Sequence, residues 1–233
     1  MSNESHSDFK IFTKELNEGK RVEGELLKTF LYSLLSSIAI IAILYIELFR
    51  SIDEFLPTYG FYIFFVVLSY SILIPLIRQV RAYRQFACMS GMMIGMTSGM
   101  IAGFLPGFFV GATSGMFWGS VFGMAVGIIF GFWNGKSCGI MGIMEGLMAG
   151  FMGGLMGAMS SVMMINDHLM AASIIVFVIS AVLIFCLNYM IYKEMKENER
   201  QFEESHFISV VISVVLTLIT TLFMVFGPRS VFL

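Results

Sequence analysis

From Gly91 to Gly139 every fourth residue is glycine. The row runs Gly91, Gly95, Gly99, Gly103, Gly107, Gly111, Gly115, Gly119, Gly123, Gly127, Gly131, Gly135 and Gly139, thirteen in succession without a miss. It then slips by one residue and resumes as Gly142, Gly146, Gly150 and Gly154, with Gly153 and Gly157 beside it. In water such a chain is a poor helix, because each interior glycine costs about 1 kcal/mol relative to alanine. In lipid the backbone must satisfy its own hydrogen bonds, so the helix forms regardless, and small residues let two backbones approach closely. The residues between the glycines are mainly Met, Phe, Ile and Val. The whole chain is 58% hydrophobic and 13% charged, with a mean hydropathy of +0.86. A soluble domain carries about 25% charged residues, so lipid is the natural solvent for this one.

Seven apolar runs follow from this reading: 26–49, 57–77, 88–105, 108–133, 138–165, 169–192 and 207–226. Each is near or above the ~20 residues that cross ~30 Å of hydrocarbon as a helix, and none alternates as a barrel strand would. The expected fold class is all-α, a polytopic transmembrane bundle of seven spans with a central core of three Gly-xxx-Gly-packed helices. The third and fourth runs are expected to part at Pro106-Gly107, a breaker signal. Residues 1–25 form a polar segment in which Phe9, Phe12 and Leu16 share one helical face, as in a surface-lying amphipathic helix. Residues 26–86 hold the first two spans and a basic loop, 87–165 the Gly/Met-rich core, and 166–233 the last two spans with a charged loop at 193–206. The Leu-, Ile-, Val- and Phe-rich first, second, sixth and seventh spans are expected to form a lipid-facing ring around the core. No cleavable signal peptide or lipidation motif is recognisable.

Basic residues set the expected orientation. With the N-terminus in the cytoplasm, twelve of the fourteen Lys and Arg residues fall inside, and only Arg50 and Arg229 fall outside. This points to a multi-pass protein of the cell membrane with its C-terminus external.

Fifteen of the twenty methionines lie between 88 and 164. On the fifth span Met141, Met144, Met148, Met152, Met156, Met159 and Met163 follow one helical face. On the third, Met92, Met96 and Met100 follow Cys88 at spacing four. Two readings compete. Methionine is flexible and polarizable and fills the gaps that glycine leaves. It is also a soft thioether ligand that, with thiolate, selects Cu(I). On the second reading Met92, Met96, Met100, Met148, Met152 and Met156 are transient ligands, and Cys88, Cys138 and Cys186 lie toward the inner exit. Glu145 is an acid inside the fifth span, where a charge costs ~3 kcal/mol or more and usually faces a cavity or a partner, so it reads as the charge partner. Met163, Asp167 and His168 would form an outer entrance, or an ordinary polar turn. The three cysteines have no C-x-x-C spacing and read neither as a disulfide framework nor as a zinc site.

Met-x-x-x-Met beside Gly-x-x-x-Gly, here Met92, Met96 and Met100 with Gly91, Gly95 and Gly99, resembles the transmembrane motifs of the Ctr copper transporters. What the resemblance implies is passage of Cu(I) along thioethers. That family has three spans and keeps the two motifs on different helices, so the likeness is confined to this stretch.

No Walker A loop, HExxH or Gly-x-Ser-x-Gly occurs, and no enzymatic activity is expected. The net charge of −2 is neutral on nucleic acid, but no basic cluster with interleaved aromatics appears outside the short loops, so no nucleic-acid partner is expected. The expected function is a transporter or channel-like permease for a small substrate, with Cu(I) the most concrete candidate. The alternative is an assembly subunit whose glycine surface binds copies of itself or other membrane proteins.

Overall fold

The computed structural model describes residues 22–47, 55–83, 86–136, 139–195 and 206–227, with the side chains of 22–25, 55–58 and 206 excepted. The proposed amphipathic segment with Phe9, Phe12 and Leu16 lies outside them. The described residues form seven helices and no strand: α1 Val22–Glu47, α2 Phe55–Ala82, α3 Cys88–Ser114, α4 Met116–Gly135, α5 Gly139–Met163, α6 Leu169–Glu194 and α7 His206–Phe226. All seven are long and apolar enough to cross a bilayer. The chain is an integral, multi-pass membrane protein.

The third span does not break at Pro106-Gly107. Pro106 lies inside a continuous α3, and the chain reverses at Gly115 instead. Gly115 has φ 95°, a conformation that side chains with a Cβ rarely adopt, and it is the sole non-helical residue between α3 and α4. A proline that would end a helix in water is tolerated within a membrane helix packed against neighbours.

The glycine rows of α3, α4 and α5 meet along one shared axis. A Cβ placed on Gly95, Gly99, Gly103 or Gly107 would lie 2.9, 2.7, 2.8 or 2.8 Å from the carbonyl oxygen of Gly142, Gly146, Gly150 or Gly154. The partner number rises with the α3 number at a constant offset, so α3 and α5 run parallel. On α4 the order reverses. Gly119, Gly123 and Gly127 face the Cα atoms of Gly111, Gly107 and Gly103, while Gly131 and Gly135 face Gly146 and Gly142. The result is a stack of glycine triads: 95/135/142, 99/131/146, 103/127/150 and 107/123/154. A fifth layer closes with Gly111, Gly119 and Ala158. Each layer stands four residues, or about 6 Å, above the last. In the four triads backbone touches backbone, which is why no side chain is tolerated there.

The remaining helices pack on one side of this unit rather than around it. α2 and α3 are the most enclosed helices, and α5 packs extensively only on α3 and α4. The expected ring is therefore incomplete: a glycine stripe covers one side of a helix, and α4 and α5 keep outward faces. Tyr70, Leu73, Ile74, Ile94, Leu105, Phe108, Phe109 and Ile184 form the side-chain core between α2, α3 and α6. Phe65 joins these helices, with its ring 6.2 Å from Phe109 and 5.4 Å from Phe177. Phe223 of α7 stacks on Phe122 of α4 at 5.3 Å.

Candidate functional site

The fifth helix has two opposite faces. Gly142, Gly146, Gly150, Gly153, Gly154 and Gly157 are buried against α3 and α4. Met141, Met144, Met148, Met152, Met156, Met159 and Met163 are 43–71% exposed. The methionine row thus runs the full length of α5 on its outer side, with exposed Glu145 beside it. The exposed faces of the other peripheral helices differ in kind. On α6 that face is Ile174, Ile175, Val178, Ile179, Val182 and Leu183, and on α7 it includes Val211, Val215 and Ile219. Aromatics such as Tyr32, Phe64, Phe185 and Phe226 share these outer faces with the aliphatics. Among the described residues, a continuous row of exposed thioethers occurs on the glycine unit alone, Met170 being the one exposed methionine of α6.

The structure brings the α3 and α5 sulfurs to adjoining outer surfaces, not to a common interior. Met96 and Met100 are exposed and Met92 is partly so, and the backbones of Met100 and Phe104 pack against Gly153 and Gly157. Cys88 is the first residue of α3 and Cys186 lies within α6, both exposed. Cys138 lies outside the described residues. Among the described residues no group of three or more His, Cys, Asp and Glu side chains is placed to hold a metal ion. At the α5–α6 turn Met163, Asp167 and His168 are exposed, and His168 Nε2 stands 3.9 Å from Asp167 Oδ1.

Two polar constellations escape the sequence reading above. The first is a hydroxyl seam between α1, α2 and α7. Ser213 Oγ lies 2.6 Å from Ser33 Oγ and 3.0 Å from Ser37 Oγ, and the Thr217 hydroxyl donates to Ser37 at 3.3 Å. One turn further along, Tyr70 and Thr220 share a hydrogen bond of 2.7 Å. Ser33 and Ser37 on α1, with Ser213 and Thr217 on α7, repeat at four residues, and that spacing was the available signal. The second constellation lies at the end of the bundle that holds the start of α3. Arg78, the first residue past the apolar run 57–77, is in α2, buried, and donates to Thr29 Oγ1 at 2.5 Å. The adjacent Gln79 is fully buried, and its Nε2 donates to the Asn188 carbonyl at 3.2 Å. Glu194 of α6 accepts from the Ala87 N–H at 3.0 Å and from Ser90 Oγ at 2.5 Å. Its carboxylate thereby caps the N-terminus of α3, where a negative charge is favoured. Arg81 lies over the Trp133 ring at 4.0 Å and ties α2 to α4.

No protein-family model matches the chain, no curated protein is similar to it, and no solved structure matches its fold.

Proposed function

We propose that this protein is a non-catalytic assembly subunit of the cell membrane. Its rigid glycine unit presents the methionine face of α5 to another membrane-spanning chain, and a second copy is the first partner to test. One observation carries the reading. The α5 row from Met141 to Met163 is exposed along the whole helix, whereas the exposed faces of α1, α2, α6 and α7 carry, among the described residues, branched aliphatics and aromatics with Met170 as their one exposed methionine. Methionine is the side chain of adaptable contact surfaces, since its unbranched thioether repacks against varied partners. Glu145 supports the same reading, because an acid at membrane depth is stabilised by a neighbour that neutralises or hydrogen-bonds it. The orientation that fits the basic residues keeps the N-terminus in the cytoplasm.

The test uses a photo-crosslinking residue at position 148 in the intact membrane, with position 178 on α6 as the lipid-facing comparison. A discrete protein adduct at 148, at twice the chain's mass if the partner is a copy, with lipid adducts alone at 178, is the expected pattern. Lipid adducts alone at both positions would refute the reading.

A second reading is supported by the unbroken sulfur row. Thioethers at spacings of three and four on one helix are a soft-ligand array. A Cu(I) permease built from it would place the α5 faces of two copies opposite each other, because a single chain carries the row on its outer surface. Cu(I) and Ag(I) binding by the purified protein under reducing conditions tests this. The Met148→Leu/Met152→Leu/Met156→Leu variant should abolish stoichiometric binding if the sulfurs are ligands.

A further inference from the structure

A groove of about 420 Å³ runs between α4 and α5 on the outside of the glycine unit, lined by Ile128, Ile129, Phe132, Trp133, Lys136 and Leu147. Gly131 of α4 faces Gly146 of α5, so Leu147 stands level with the middle of the α4 wall. Ile129, Phe132 and Trp133 are exposed, so the groove opens to the membrane. From Lys136 to Ile128 the wall descends eight residues, or about 12 Å along the helix axis. That covers most of one leaflet, whose hydrocarbon is about 15 Å thick. The wall is apolar and aromatic over this length, and its one charged residue, Lys136, stands at the end of α4.

Two cations stand at this end. Lys136 caps the C-terminus of α4 and is exposed. Arg81 lies over the Trp133 ring at 4.0 Å, and Trp133 precedes Lys136 by three residues, which makes the two neighbours on the helix surface. Among the described residues Lys136 forms no ion pair. Glu145 does not face the groove: it precedes Leu147 by two residues, about 200° around the helix, and turns to the other side of α5. Glu194 is engaged at the N-terminus of α3. The groove is therefore an apolar slot under a cationic lip whose charge is not balanced at the slot itself.

We propose that this groove binds an anionic glycerophospholipid. Its phosphate pairs with Lys136, the Arg81 guanidinium adds charge beside it, and one acyl chain lies along Phe132, Ile128 and Leu147 toward the bilayer centre. Charge complementarity selects the occupant, since basic pockets between membrane helices hold anionic headgroups. A zwitterionic headgroup brings its own ammonium to the same lip and gains less there. The volume fits: an apolar cavity of ~150 Å³ takes benzene, so about 420 Å³ takes at least ~12 acyl carbons. The orientation that fits the basic residues puts this end at the cytoplasmic leaflet, where anionic lipids gather. The site stands whether or not the methionine face of α5 has a partner.

The test is quenching of Trp133 fluorescence by lipids brominated on their acyl chains, with the full chain carrying Trp118→Phe and reconstituted in phosphatidylcholine bilayers. Brominated phosphatidylglycerol should bind about five- to tenfold more tightly at Trp133 than brominated phosphatidylcholine. Lys136→Gln should cut that ratio about fivefold, and Lys136→Arg should keep it. Leu147→Phe, which narrows the slot and leaves the charge, should also lower it. In a chain carrying Trp133→Phe instead, Trp118 reports from the opposite end of α4, fifteen residues away, and should show no preference. Equal quenching by the two lipids, the same preference at Trp118, or an unchanged ratio in Lys136→Gln or in folded Leu147→Phe overturns the proposal. If Leu147→Phe does not fold, the lipid series with and without Lys136→Gln still decides the outcome.

Discussion

Replacing Gly103 with alanine adds one methyl group where three backbones meet. The new Cβ would lie 2.8 Å from Gly150 O, 3.0 Å from Gly154 N and 3.2 Å from Gly123 O, whereas ordinary contact begins at 3.4 Å. To move from 2.8 to 3.4 Å, α3 and α5 must part by about 0.6 Å, and a gap of that size forfeits a quarter to a half of each neighbouring dispersion contact. All three obstructing atoms are backbone, so no rotamer change relieves the clash. In a soluble helix the gain in propensity, about 1 kcal/mol, would offset part of this cost. In a bilayer the helix persists whether or not it is packed, so that gain is absent. The expected loss is therefore about 1–3 kcal/mol, the usual cost of overpacking. Both tryptophans of the chain, Trp118 and Trp133, are in α4, so their fluorescence during denaturant titration in detergent reports whether α4 stays docked. Gly127→Ala in the same layer should cost a similar amount alone. Once one methyl has parted the helices the second meets less resistance, so the double variant should cost less than the sum. An unfolding midpoint unchanged or raised in Gly103→Ala would show that the backbones are not in the contact described.

Other consequences are as specific. Met148→Leu/Met152→Leu/Met156→Leu conserves volume on an exposed face, so its unfolding free energy should stay within about 1.5 kcal/mol of the native chain; a larger loss in the same titration would mean that the row is internal packing. Ser213→Ala removes the hydroxyl between Ser33 and Ser37. At about 0.6 kcal/mol per interhelical hydrogen bond it should cost about 1 kcal/mol, read as a lowered thermal midpoint. Gly115→Ala forces a Cβ into φ 95° and should cost about 1–3 kcal/mol, with loss of α3–α4 closure visible in tryptophan fluorescence. Glu194→Gln keeps an acceptor but removes the charge at the α3 N-terminus, for a loss of about 0.3–1 kcal/mol that shrinks as salt rises.

The glycine unit is legible in the sequence because its determinant is a missing side chain at a fixed interval, and that survives without any knowledge of neighbours. The triads follow from the same row once the chain is folded into antiparallel spans. The turn is less legible. Gly115 looks like the other members of the row, and its positive φ, shared only with Gly139 among the described glycines, cannot be read from the sequence, whereas Pro106 carries a breaker signal calibrated on soluble helices. Arg78 reads as a loop residue by charge alone, since its burial depends on Thr29 of another helix. Ser33, Ser37, Ser213 and Thr217 are scattered hydroxyls in one dimension and become a seam only when α1 meets α7. The methionine row was legible as a face of α5. Which way the face points was not, because glycine and methionine take opposite sides of the helix and a glycine-packed and a thioether-lined interior fit the same one-dimensional pattern.

The triads also raise a problem of uniqueness. Identical layers every four residues mean that α5, moved along α3 and α4 by one layer, would find the same contacts waiting. A repeating interface is a ratchet with equivalent notches, and something must fix the notch. The α5 row is only four glycines long, bounded in sequence by Cys138 and Ala158. Displacement one way would drive the Ala158 methyl into the place of Gly154, which is closed by the backbone of Gly123 and Met124. Ala158, which breaks the pattern, is thus the end stop that bars the periodic surface from that misalignment.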